Sequence, residues 1–125
     1  MLQLDFGDHR PLYEQICDKL KELIISGALG ENERIPSVRE LAAMLAINPN
    51  TIQKAYKELE AEGFIYSQRA RGSFVSPAER IKKHTDEKQL LGALEQELSK
   101  LYYLGVKKGS IIKLMDKIYE GGEKE

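Results

Sequence analysis

Two helix starts crowd into one short stretch of this chain, and that crowding narrows the folds open to it. Pro36-Ser37-Val38-Arg39-Glu40 places a serine three residues before a glutamate, the pattern of a reciprocal capping box, and Leu41 and Leu45 follow as an apolar stripe. A short helix over about residues 38–45 is predicted. After Ala46-Ile47 comes Asn48-Pro49-Asn50-Thr51, an N-cap followed by proline at the first helical position, where its missing N–H costs nothing. Ile52, Ala55, Tyr56 and Leu59 then mark one buried face, and Gly63 stops the helix. The connection between the two helices is a few residues long. That is the spacing of a helix-turn-helix.

The surroundings extend the motif. Pro11 opens an earlier helix whose apolar residues Leu12, Ile16, Leu20 and Ile24 recur every four positions until Gly27, giving a helix over about 11–26. Cys17 lies beside that stripe as a small core residue, so with one cysteine in the chain neither an intrachain disulfide nor a multi-cysteine zinc site is available. Beyond Gly63, Phe64-Ile65-Tyr66-Ser67-Gln68 and Gly72-Ser73-Phe74-Val75 read as two short strands around Arg69-Ala70-Arg71, a hairpin with arginines at its tip. Helix, helix-turn-helix and hairpin in that order make a winged helix-turn-helix.

Ser76-Pro77-Ala78-Glu79 repeats the start signature, with Ser76 as N-cap, and predicts one long helix over about 77–104. Its second part carries Leu91, Leu94, Leu98 and Leu101 at coiled-coil-like spacing, and Gly105 followed by Val106 suits a left-handed stop. A last helix over about 108–120 carries Ile111, Met115 and Ile118 before Gly121-Gly122 ends it. The expected organisation is mainly α with a small β-hairpin: a winged helix-turn-helix domain over 1–76 and a two-helix dimerisation tail over 77–125. Two apolar helices in so short a tail would leave hydrocarbon exposed unless a second subunit covers it. The alternative is that the leucine stripe packs only on the last helix and the first domain.

The physics of this order suits duplex DNA. A major groove about 12 Å wide admits one helix, whose first turns reach base edges. Those turns here offer Asn48, Asn50, Thr51, Gln53, Lys54 and Lys57: amides that pair with adenine, a hydroxyl and methyl, and ammonium groups for guanine or phosphate. Arg69 and Arg71 on the hairpin face the backbone or the minor groove. Ser37 and Arg39 stand at a helix start, where side chains and N–H groups can meet phosphate, although Ser37 already has a capping duty. The plainer view is that these residues are a solvated helix face, and that Tyr56, Leu59 and Phe64 are core and not a stacking platform. With 19 basic and 20 acidic residues the net charge is −1, so any DNA binding must be local and geometric, not polyelectrolyte coating.

Other chemistry finds little support. His9 and His84 have no second ligand at metal spacing, and no nucleophile–base pair or glycine-rich phosphate loop is visible, so neither a metal, a cofactor nor an enzymatic role is expected. No run approaches the roughly 18 apolar residues of a membrane span and no signal peptide precedes the domain, which makes a cytoplasmic protein with no membrane partner the expectation.

Taken together, Pro11-Leu12-Tyr13-Glu14-Gln15-Ile16, Ile35-Pro36-Ser37-Val38-Arg39-Glu40-Leu41-Ala42, Asn48-Pro49-Asn50-Thr51-Ile52, Ala55-Tyr56-Lys57-Glu58-Leu59-Glu60, Glu62-Gly63 and Arg71-Gly72-Ser73-Phe74-Val75 resemble the GntR family of bacterial transcription regulators, almost continuously over residues 10–76. The resemblance implies that Arg39 clamps phosphate, that Asn48 to Gln53 and Lys54 enter the major groove, and that Arg69 to Gly72 form the wing contact. The chain departs from the family where arginine is frequent at Pro49 and Gln53, and glycine at Ala70, so base preference does not carry over. The short tail is similar to that of the YtrA-like subfamily, whose two helices serve dimerisation and whose members often accompany transporter genes. This implies a homodimer on a palindromic double-stranded DNA operator, a repressor of a transport operon, with room for a small-molecule effector at the dimer cleft. A protein-interaction module on the same scaffold is the competing expectation, since fold does not fix function.

Overall fold

The computed structural model describes residues 3–5 and 7–122. It divides into two compact units, 1–85 and 86–125.

In the first unit, α1 (Leu12–Ser26) and α2 (Val38–Leu45) both pack on α3 (Pro49–Ala61). Ile16, Leu20 and Ile24 of α1 meet Leu41 and Ala42 of α2 and Ile52, Ala55, Tyr56 and Leu59 of α3 in one buried cluster. Each α-helix contributes one apolar stripe, as the four-residue spacing dictates. The capping box that opens α2 is present in full: Ser37 Oγ accepts from Glu40 N at 3.1 Å, and Glu40 Oε1 accepts from Ser37 N at 2.7 Å. The turn into α3 is closed by Ala46 in the left-handed region (φ 55°), with Ile47 N donating to Ala42 O at 3.0 Å. Alanine there carries strain of about 1 kcal/mol that glycine would not. Gly63, at φ 86°, ends α3, and the Phe64 N–H reaches back to Leu59 O at 2.9 Å. A Cβ on Gly63 would lie 2.7 Å from the His84 ring, so two constraints keep glycine here.

The wing is larger than a hairpin. β2 (Ile65–Gln68) and β3 (Gly72–Val75) pair antiparallel, Ile65 opposite Val75 and Gln68 opposite Gly72. On the far edge of β3, β1 (Arg34–Ile35) adds a third antiparallel strand, Arg34 opposite Phe74. Two residues show no periodicity, so sequence pattern could not announce β1. Its pairing is decided by the loop before α2 passing beside the wing. Ile35, Ile65 and Val75 turn into the core, and the rings of Tyr66 and Phe74 stack across strands at 5.5 Å.

The expected long helix over 77–104 is two helices, α4 (Ala78–His84) and α5 (Glu87–Tyr103). Thr85 is extended and its hydroxyl donates to Ile81 O at 2.8 Å, while the Asp86 side chain accepts from Lys88 N and Gln89 N. Asp86 is therefore a fresh N-cap. Asp86-Glu87-Lys88-Gln89 carries the cap-plus-glutamine signature that marks such a start.

Ser76 does not cap α4: it is buried, its Oγ has no partner, and Glu31 accepts from Ala78 N instead. Ile81 packs against the core, and the compact division falls at 85/86, so α4 lies in the first unit.

The second unit holds α5 and α6 (Lys108–Gly122). Gly105 (φ 84°) and Val106 close α5 as expected, the Val106 N–H donating to Leu101 O at 3.0 Å. α6 continues through Gly121 and Gly122 instead of stopping at 120. Leu91, Leu94, Met115 and Ile118 lie open to solvent, and Leu98, Leu101 and Ile111 are half-buried.

Candidate nucleic-acid interface

The buried stripe of α3 leaves a second face free. Asn48, Asn50, Gln53, Lys54 and Lys57 are exposed and Thr51 is half-buried, while Ile52, Ala55, Tyr56 and Leu59 are inside. One rigid helix thus holds both faces, and its anchorage is strong: the buried Tyr56 hydroxyl donates to Pro36 O at 2.7 Å, tying α3 to the residues just before α2. Burial, and then the Glu40 carboxylate, push the Tyr56 phenol upward, so it stays a neutral donor. Asn48 uses its side-chain oxygen to accept from Asn50 N at 2.8 Å, leaving its NH2 group for an external acceptor.

Lys54 is not a free tether. Its Nζ lies 3.9 Å from the centroid of the Tyr13 ring, and Pro11, Leu12 and Tyr13 of the α1 start line a shallow groove with Asn50, Thr51 and Lys54. An ammonium over an aromatic face at that distance is attracted by the ring quadrupole. Sequence pattern gives Tyr13 no role toward α3 and misses this pairing. The only available signal was the Pro-Leu-Tyr motif, which says nothing about α3. Gln15 of the same motif is buried and satisfied, accepting from Asp5 N at 3.0 Å and donating to Arg10 O at 3.3 Å, so its work is to hold the N-terminal arm.

At the start of α2, Arg39 is exposed and Ser37 half-buried. The Ser37 N–H is taken by Glu40, so a phosphate here would meet the Ser37 hydroxyl and the Arg39 guanidinium, not that amide. The Ser37 N–H and hydroxyl, then Arg34, hold the Glu40 carboxyl below the usual carboxylate range, and it is ionised at neutral pH. On the wing, Arg69 and Arg71 are exposed and Gly72 is half-buried at φ 114°. Ala70 takes φ 66° inside a turn closed by Arg71 N donating to Gln68 O at 3.0 Å.

The remaining chemistry-bearing residues are accounted for by packing. Cys17 is buried with Sγ 3.4 Å from Ala55 O, and desolvation followed by the Glu58 charge pushes its thiol up to about 11, which keeps it protonated and unreactive at neutral pH. His84 sits at the end of α4, with Nδ1 3.0 Å from Arg80 O. Among the described residues no group of three or more His, Cys, Asp or Glu could hold a metal ion, and no helix is long and apolar enough to cross a membrane.

Residues 12–75, just over half of the chain, match the family model of bacterial regulatory proteins of the gntR family. The chain belongs to the GntR family. Its members are DNA-binding transcription regulators, not enzymes. The HTH-type transcriptional repressor YtrA of Bacillus subtilis (strain 168) is 49% identical over 76 residues, which are 61% of this chain and 58% of YtrA, so the matched region spans somewhat over half the length of that relative. A crystal structure of a transcriptional antiterminator from Listeria monocytogenes EGD-e is similar at a TM-score of 0.83 and 34% identity, over 100% of this chain and 95% of that one. The DNA-binding domain of AraR in complex with operator ORR3 is similar at a TM-score of 0.50 and 29% identity, over 59% of this chain and 92% of that one. GntR regulators therefore include repressors and have been seen on duplex operators.

Proposed function

We propose that this GntR protein is a homodimeric, sequence-specific repressor that lays α3 into the major groove of a palindromic double-stranded DNA operator. The observation that carries the proposal is the two-faced α3: Asn50, Gln53, Lys54 and Lys57 are exposed on a helix whose other side is locked into the core. In this arrangement Asn48, Asn50, Thr51, Gln53 and Lys54 meet base edges and Lys57 the backbone. Arg69, Arg71 and Gly72 follow the flanking strand or minor groove, and Ser37 with Arg39 holds a phosphate. The tail supplies the second copy. Leu91, Leu94, Leu98 and Leu101 of α5, with Ile111, Met115 and Ile118 of α6, form the contact, and the two recognition helices then address half-sites about 34 Å apart or a multiple of it. Similarity to a YtrA repressor supports repression; a transport operon as the target, a cytoplasmic location and a small-molecule effector at the dimer cleft complete the proposal.

Replacing Lys54 and Arg71 together by Glu tests the interface. Retention of an operator duplex in a gel shift should be lost while light scattering still shows a dimer. Undiminished retention would remove α3 and the wing from the reading. Specific binding should also weaken steeply with salt, because several phosphates are neutralised. A chain that uses this fold only to bind proteins would have no such binding to lose.

A further inference from the structure

Arg34 lies outside every motif that pointed to DNA, yet it touches both halves of the candidate interface. Pairing of β1 with β3 carries it beside the wing. Its Nε donates to the carbonyl oxygen of Arg71 at 3.2 Å, and its guanidinium passes so close to Gly72 that a Cβ there would lie 3.1 Å from Nε. On the other side its NH1 group lies 3.8 Å from Glu40 Oε1, the same oxygen that accepts from Ser37 N at the start of α2. A continuous line of polar contacts thus runs from the wing turn, through one guanidinium, to the capping box.

We infer that Arg34 is a positioning residue that sets the wing arginines at a fixed distance from the helix-turn-helix, so that both can engage one duplex at once. This rests on the DNA-binding reading above. A guanidinium suits the task because its donors are splayed in a rigid plane, so one group reaches the Arg71 carbonyl while another faces Glu40. A lysine ammonium is a point charge on a flexible stem and cannot hold both directions. Arg34 faces the Glu40 carboxylate at the start of α2. Its side chain is half exposed, 52% against 56% for Glu40, so the pair adds little to global stability and its effect is on where the wing sits. Gly72 has a matching reason to be glycine: φ 114° strains any residue with a Cβ, and that Cβ would press on Arg34 Nε at 3.1 Å and push the guanidinium aside by a few tenths of an ångström.

The test uses the full chain and a duplex selected by the unmodified protein from random DNA, with an unselected duplex as control. Arg34→Lys and Arg34→Met should each weaken binding to the selected duplex about tenfold and leave the unselected one nearly unchanged. The slope of affinity against salt should be the same in the two variants, because both misplace the same wing contacts. In an Arg69→Ala, Arg71→Ala background the further change at Arg34 should have no effect, because its action runs through the wing. In the free protein, amide exchange over residues 69–73 should quicken in Arg34→Met while the α3 core stays protected. Full rescue by lysine together with a salt slope lower by about one in Arg34→Met would make Arg34 a direct phosphate contact and overturn the inference. Additive losses in the wing-less background, or unchanged wing exchange, would overturn it as well. If the unmodified protein selects no duplex, the DNA-binding reading falls, and amide exchange still decides whether the tether exists.

Discussion

The two compact units treat their apolar residues in opposite ways. The first closes Ile16, Ile52 and Leu59 completely inside one cluster, whereas α5 and α6 leave Leu94 at 50% and Met115 at 47% exposure. Three helices and a sheet can surround a common centre. Two helices share only one seam, and whatever apolar surface lies outside it faces water. The contrast separates an apolar core that one chain closes by itself from an apolar surface that it leaves open to water.

The sharpest way to break the comparison is in the core. Leu59→Ala should destabilise the first unit by about 2–5 kcal/mol, read as a lower unfolding midpoint in calorimetry, because a fully enclosed side chain leaves a cavity. A cost near zero would mean that the cluster collapses freely. In the tail, Leu94→Asp with Met115→Asp should instead leave that midpoint in place and weaken self-association about a hundredfold or more in sedimentation, since two charges would be desolvated in the proposed contact. Retention of a tight dimer would move the interface elsewhere.

A smaller effect sharpens the boundary between the units. Asp86→Ala should cost about 1 kcal/mol through loss of the α5 cap, visible as reduced helicity and faster amide exchange at Lys88 and Gln89. The smallest change expected is at Ser76, whose buried hydroxyl has no partner: Ser76→Ala should be neutral or stabilising by up to about 1 kcal/mol. A clear loss of stability there would show that the hydroxyl is satisfied in solution.

Legibility in the sequence followed range. Ser37, Glu40, Asn48 and Gly63 act within their own turns, through caps that need only neighbouring residues, and α2, α3 and their junction were readable from them. The exposed residues of α3 were readable too, since a helix that buries Ile52, Ala55, Tyr56 and Leu59 must turn Asn50, Gln53 and Lys54 outward. Ser76 misled because serine before proline mimics a cap, while strand pairing had already drawn it inside, its N–H donating to Phe64 O at 2.9 Å. Asp86 was overlooked because the leucine stripe beyond it masked a local signal.

What the amino-acid order determined by itself was α1, α2, α3 and α6, the capped starts of α2 and α3 and the polar residues that line one side of α3, because these depend on interactions between residues at most a few positions apart. Tertiary structure alone decided that β1 joins the wing, that Tyr13 receives Lys54, and that Arg34 reaches Arg71 across a separation of 37 residues. Contacts of that reach leave no periodicity in a sequence; they exist only once the core has fixed which surfaces come together.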